Sequence, residues 1–143
     1  MISSSENQLN DIVNGSLCSH HLLSNGVHEF SFQVSSRAAV NEWIEQLVPL
    51  LNTSLSDGVL PLVVDTRQSG TLPLGYVIGK LRDVYRKYNQ PSLLRLAFLS
   101  ENSALMAFVQ MLAEMAASNE TSMIQYHQSQ DEGEAIAWLL AAQ

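Results

Sequence analysis

A second cysteine is missing. Cys18 is the single one in 143 residues, so no internal disulfide can staple this chain, and a small disulfide scaffold is excluded. Basic residues are scarce: seven Lys and Arg stand against fourteen Asp and Glu, a formal net charge of −7. That sign argues against nucleic acid as a partner, because a phosphate backbone is met by a positive footprint. Long apolar runs are lacking as well. The most apolar uncharged stretch, Asn102 to Ala113 between Glu101 and Glu114, is helical in period and falls short of the roughly 20 residues that cross a bilayer. No membrane span is expected. Met1-Ile2-Ser3-Ser4-Ser5-Glu6 has neither the basic nor the apolar region of a secretion signal. A soluble, cytoplasmic protein is the expectation. No GxGxxG, GxxxxGK[ST] or GxSxG occurs, and no HxxxH or CxxC. Hence no cofactor, no metal and no enzyme are expected.

What is present is a globular composition, with 46% hydrophobic and 15% charged residues, which excludes disorder of the whole chain. Residues 1–15 are polar and aperiodic and read as a frayed leader, with residues 16–143 as one domain. Ser16–Leu23 and Val27–Val34 are strand-like runs around Ser24-Asn25-Gly26. Asn-Gly suits a type I′ hairpin turn. Alternation in the second run aims Phe30, Phe32 and Val34 at the core. Ser35 or Ser36 then caps a helix whose stripe is Val40, Trp43, Ile44, Leu47, Val48 and Leu51, with Pro49 expected to kink or end it. Val59–Thr66 and Leu93–Leu99 are near-continuous apolar runs, the mark of parallel strands covered on both faces. Between them a helix is expected over Leu74–Tyr88. A further helix should carry Leu105, Phe108, Val109, Leu112 and Met115, and Ser122–His127 should be the last strand. Asp131, with Glu134 three residues on, has the spacing of a capping box before the final helix. The order is a hairpin followed by (αβ)3α. This predicts an α/β fold with a mixed, mainly parallel five-stranded sheet. Trp43, Leu47, Leu62, Val64, Leu96, Phe98, Leu112, Ile124 and Trp138 are the expected core.

Leu62-Val63-Val64-Asp65, Arg95-Leu96-Ala97-Phe98-Leu99 and Asp131-Glu132-Gly133-Glu134-Ala135-Ile136-Ala137-Trp138-Leu139, following the hairpin in that order, resemble the SpoIIAA-like superfamily. It includes the STAS domains, that is, anti-sigma factor antagonists and cytoplasmic domains of sulfate transporters. Within it the chain looks most like an uncharacterised bacterial branch of stand-alone STAS-like proteins. The resemblance implies a regulatory or protein-interaction module in bacterial signalling. The antagonists carry a phosphorylatable serine in an Asp-Ser-Ser-Gly motif where the loop after the middle strand enters the helix. Here Ser69 precedes Gly70 as that serine does, while Arg67 and Gln68 replace the aspartate and first serine. Ser69 therefore reads either as a phosphosite or as a plain loop serine.

Ligands of open α/β sheets gather at the carboxyl ends of the strands. The candidate surface is therefore Asp65, Thr66, Arg67, Ser69 and Gly70, with Ser100 and Asn102 beside them. Arg37 and Arg67 could hold an anion there, or Asp65 could simply form the turn. His20 and His21 are strand neighbours on opposite faces, and His28 and His127 are each read as single. Cys18 reads as a half-buried, inert thiol. All seven basic residues lie between Arg37 and Arg95, and Leu96–Gln143 holds six acids and no base. That split suits a charged protein partner or complementary self-association into a homodimer. The alternative is a carrier of a lipid or other small molecule, of the related CRAL-TRIO type, with Leu105, Met106, Met111 and Met115 lining a pocket.

Overall fold

The computed structural model describes residues 17–53, 58–87, 93–101, 106–107, 109–111 and 124–141. The chain begins with the expected hairpin, β1 (Cys18–Leu22) and β2 (His28–Phe32). Its turn is of another type. The Gly26 amide donates to the Leu23 carbonyl at 3.0 Å, so Ser24 and Asn25 are the central pair, and Gly26 follows them at φ 89°. The Asn25 side chain accepts from the Val27 amide at 3.0 Å, which favours this three-residue loop over a two-residue type I′ turn. β2 ends at Phe32, and Val34 lies beyond it, 41% exposed rather than in the core.

Ser36 is the cap of α1 (Arg37–Thr53): its hydroxyl accepts from the Ala39 amide at 3.2 Å. Pro49 lies inside α1 and does not end it. Leu47 and Leu51 are buried on either side of it, and this packing outweighs the roughly 3 kcal/mol that an interior proline costs. β3 (Val59–Asp65), α2 (Leu74–Lys87) and β4 (Leu93–Leu99) follow near their expected bounds. Pro61 is tolerated in a central strand because β2 pairs with β3 only from His28↔Leu62 onward. Residues 106–107 and 109–111 are helical, with Val109 buried. Leu105, Phe108, Leu112 and Met115 lie outside the described residues. β5 is Ile124–Ser129 and runs past the expected end at His127; Ser122 and Met123 lie outside the described residues. Its register with β4 runs to Leu99↔Ser129, so ladder bonds draw polar Gln128 and Ser129 into the strand. The last element is α3 (Glu132–Ala141).

The sheet has five strands in the order β1-β2-β3-β4-β5, antiparallel at β1–β2 and parallel elsewhere. Its two faces carry two cores. Phe30, Phe32, Leu62, Val64, Leu96 and Phe98 pack against α1 and α2, including Trp43, Leu47, Val77 and Leu81. Val27, Val63, Ala97 and Leu99 pack against Ala135 and Leu139 of α3. Two of the expected core residues, Ile124 and Trp138, are half-buried. Ile124 sits on β5, which among the described residues has β4 on one side and no sheet neighbour on the other. Trp138 covers the rim of the second core.

An exposed edge strand invites pairing with another chain. Here α1 covers part of β1: the Glu42 carboxylate accepts from the Leu17 and Cys18 amides at 3.2 and 3.1 Å. The Gln46 amide donates to the Cys18 carbonyl at 3.0 Å. Glu42→Ala should cost about 2 kcal/mol, because two partly buried donors lose a charged acceptor. Urea unfolding measures the loss, and an unchanged midpoint would show that water replaces the carboxylate at no cost.

Candidate functional site

The carboxyl end of β3, Glu29 near the start of β2, and the start of α3 bring charged side chains together. Asp65 closes the turn after β3, its Oδ1 accepting from the Arg67 amide at 3.0 Å. The Arg67 guanidinium returns to the same carboxylate in a fork, Nε to Oδ1 at 3.0 Å and Nη2 to Oδ2 at 2.9 Å. Arg67 also lies 3.6 Å from Glu132 of α3. Burial alone would raise the Asp65 carboxyl, but the Arg67 hydrogen bonds and charge outweigh it and hold it below its usual value. Glu29 of β2 goes the other way. Partial burial pushes its carboxyl up, and the Glu132 carboxylate, within hydrogen-bond reach, and Asp65 add to the shift.

The remaining expected site residues divide. Thr66 and Ser100 are buried and are not surface groups. The Thr66 amide and hydroxyl both donate to the Leu99 carbonyl at 2.9 Å, and the Ser100 amide donates to the Ser129 carbonyl at 3.0 Å. These bonds continue the sheet beyond its last side-chain pair. The Gly70 amide donates to the Thr66 carbonyl at 3.0 Å, with Gly70 at φ 85°, a left-handed angle that suits glycine. Ser69 is half-exposed, and its hydroxyl donates to the Gly70 carbonyl at 2.9 Å. α2 starts at Leu74, after Thr71, Leu72 and Pro73, so Ser69 lies in the turn and not where the chain enters the helix. Asn102 lies outside the described residues.

Arg37 and Arg67 are engaged separately rather than as an anion-holding pair. The Arg37 guanidinium lies 4.9 Å over the Tyr76 ring, and Lys80 lies 5.4 Å from the same ring. The Tyr76 hydroxyl is 2.6 Å from Asn41 Oδ1, tying α2 to α1. Cys18 is fully buried, and burial pushes its thiol well up, away from the reactive thiolate.

Sequence reasoning missed three arrangements. Glu29 alternates away from the Phe30 and Phe32 face of β2, and its meeting with Glu132 needs the placement of α3. Asp131 caps α3 as expected, its Oδ2 accepting from the Glu134 amide at 2.8 Å. Glu134 does not complete the capping box; its carboxylate meets His127 Nε2 at 3.0 Å, and the Ser129 hydroxyl takes the Asp131 amide at 3.1 Å. His127 also stacks on Trp138 at 4.7 Å. Lastly, His20 and His28 are a pair and not single residues: Nε2 and Nδ1 are 3.0 Å apart. The hairpin register would have shown this, since it places both on one face. Among the described residues, no three His, Cys, Asp or Glu side chains form a metal-sized group, and no helix is long and apolar enough to cross a membrane.

No protein-family model and no curated protein matches this sequence. Among solved structures, it is similar to an uncharacterized DUF3478-family protein from Shewanella loihica PV-4 with a SpoIIAA-like fold. The TM-score is 0.54 over 85% of this chain and 91% of that chain, at 14% sequence identity. Likeness at that identity speaks to architecture alone. On that likeness, and on its antiparallel hairpin edge and parallel β2-β3-β4-β5 order, this chain has a SpoIIAA-like fold.

Proposed function

We propose that this chain is a non-enzymatic interaction module that binds a protein partner through the turn at residues 67–70 and the adjoining start of α2. The observation that carries the reading is the pinned state of that turn. Asp65 holds Arg67 by backbone and side chain, and Gly70 is tied back to Thr66, itself bonded to β4. Gln68 and Gly70 are exposed at its tip, with Ser69 half-exposed between them. A turn already held in one conformation loses little entropy on docking. Tyr76, flanked by Arg37 and Lys80, extends the surface with an aromatic and cationic contact of the kind enriched in protein interfaces. The partner side is expected to be acidic. A regulatory role follows if Ser69 accepts a phosphoryl group, which would add roughly −1.5 to −2 charges beside Arg67.

The reading of a lipid or small-molecule carrier has less support. Met106 and Met111, placed on the pocket wall by that reading, are 37% and 46% exposed.

The test is affinity capture with wild type, Gln68→Ala and Ser69→Asp, followed by binary titration of any protein retained. Both variants should weaken binding of that protein by about tenfold, or 1.4 kcal/mol. Identical affinities for all three would remove the turn as the contact site.

A further inference from the structure

The hairpin register places His20 opposite Phe30 and Leu22 opposite His28. His20 and His28 are therefore diagonal neighbours on the face that carries Phe30 and Phe32. Their rings are firmly seated. The His20 imidazole stacks on Phe30 at 4.5 Å and 8°, and on His28 at 5.2 Å and 22°. Phe30 is fully buried and held edge-on by Trp43 at 6.2 Å. The two facing nitrogens, Nε2 of His20 and Nδ1 of His28, are 3.0 Å apart.

That separation is the length of an N–H···N hydrogen bond, and it is also close to the spacing of two imidazole nitrogens on one metal ion. With metal–nitrogen bonds of about 2.0–2.1 Å, ligand nitrogens lie about 2.9 Å apart at a right angle and about 3.3 Å apart at a tetrahedral angle. The observed spacing falls between the two. His20 is exposed and His28 half-buried, so water can reach the remaining coordination positions. We propose that His20 and His28 are a two-histidine chelate for a divalent transition-metal ion of the Cu2+, Ni2+ and Zn2+ class, completed by water.

The ionisation of the pair suits this role. Burial lowers the affinity of both rings for protons, and His28 and His21 add to this at His20. The neutral imidazole is the form that offers a lone pair. In the metal-free pair, one facing nitrogen carries the proton of an N–H···N bond. Binding moves that proton to the other nitrogen of the same ring and rotates the exposed His20 ring, so that both facing lone pairs converge on the ion and no net proton is released. The order of affinity should follow the usual divalent series, with Cu2+ ahead of Ni2+ and Zn2+. Nothing in this site depends on the turn at residues 67–70.

The experiment is calorimetric titration of the tag-free full chain at neutral pH with Cu2+, Ni2+ and Zn2+ salts. Its variants are His20→Phe, which keeps a ring stacked on Phe30, and His28→Gln. His21→Gln and His127→Gln are the controls. Each of the first two should weaken Cu2+ binding by about tenfold or more, with the controls within about twofold. In NMR spectra, sub-stoichiometric Cu2+ should broaden the imidazole protons of His20 and His28 before those of His21 and His127. Thermal melts of the metal-free variants confirm that they are folded. Three results would each overturn the proposal: unchanged affinity in folded His20→Phe or His28→Gln, an equal loss in His21→Gln, or no heat of binding for any of the three ions.

Discussion

Phe98→Ala is expected to destabilise the protein by about 3–5 kcal/mol, the range for emptying a filled aromatic site. Phe98 has no exposed surface and sits on β4, next to Val64 on β3 and Gln128 on β5. Above it, α1 and α2 close the same core with Trp43, Leu47, Val77 and Leu81. Strands held on both sides cannot move in to fill the space, so the cavity term adds to the lost burial. For a chain of this size the midpoint of thermal unfolding should drop on the order of 10 °C. Phe98→Leu keeps most of the volume and should cost about 1–2 kcal/mol. Urea unfolding of the three proteins gives the differences. A loss below about 1 kcal/mol for Phe98→Ala would mean that the neighbours relax into the gap.

Phe98 was legible from sequence because Leu93–Leu99 is apolar on both alternations except at Arg95, and seven residues suit a strand buried on both faces better than a helix. The stripe from Val40 to Leu51 was legible for the same kind of reason, and Asp65 as a turn former follows from its short side chain. Positions set by distant partners were not legible. Thr66 and Ser100 are polar types after strands, so they read as solvent-facing, but their bonds to Leu99 and Ser129 bury them. Glu134 has capping-box spacing, yet His127 on a neighbouring strand takes its carboxylate. Pro49 is a local helix breaker overruled by Leu47 and Leu51. The sequence sets His20 beside His21 and leaves His28 single, and the hairpin register joins His20 to His28.

Arg95 is the residue that breaks the pattern of its own strand, and its removal is expected to cost about 3 kcal/mol. It is 6% exposed in the otherwise apolar Leu93–Leu99. Its guanidinium carbon lies 3.9 Å over the Trp138 ring. Nη2 donates to the Trp138 carbonyl at 2.6 Å, and Nη1 donates to Gln125 Oε1. Trp138 lies in the last turn of α3, where carbonyls have no intrahelical donor and the helix carries partial negative charge. α3 has no basic residue in its own last turn, so a cation from β4 supplies the cap. Loss of a charged hydrogen bond (about 1.5–3 kcal/mol) and of a desolvated cation–π contact (about 2 kcal/mol) sets the gross effect. The cost of burying the guanidinium, which lowers its proton affinity, opposes it. Arg95→Met separates the two sides, because it keeps an unbranched apolar stem and deletes the charge. A loss of about 1–2 kcal/mol, with amide exchange faster in α3 than in α1, places the stabilisation in the cap. An Arg95→Met protein more stable than wild type would show that desolvation outweighs the hydrogen bonds, and that the arginine fixes where α3 docks at a net cost in stability.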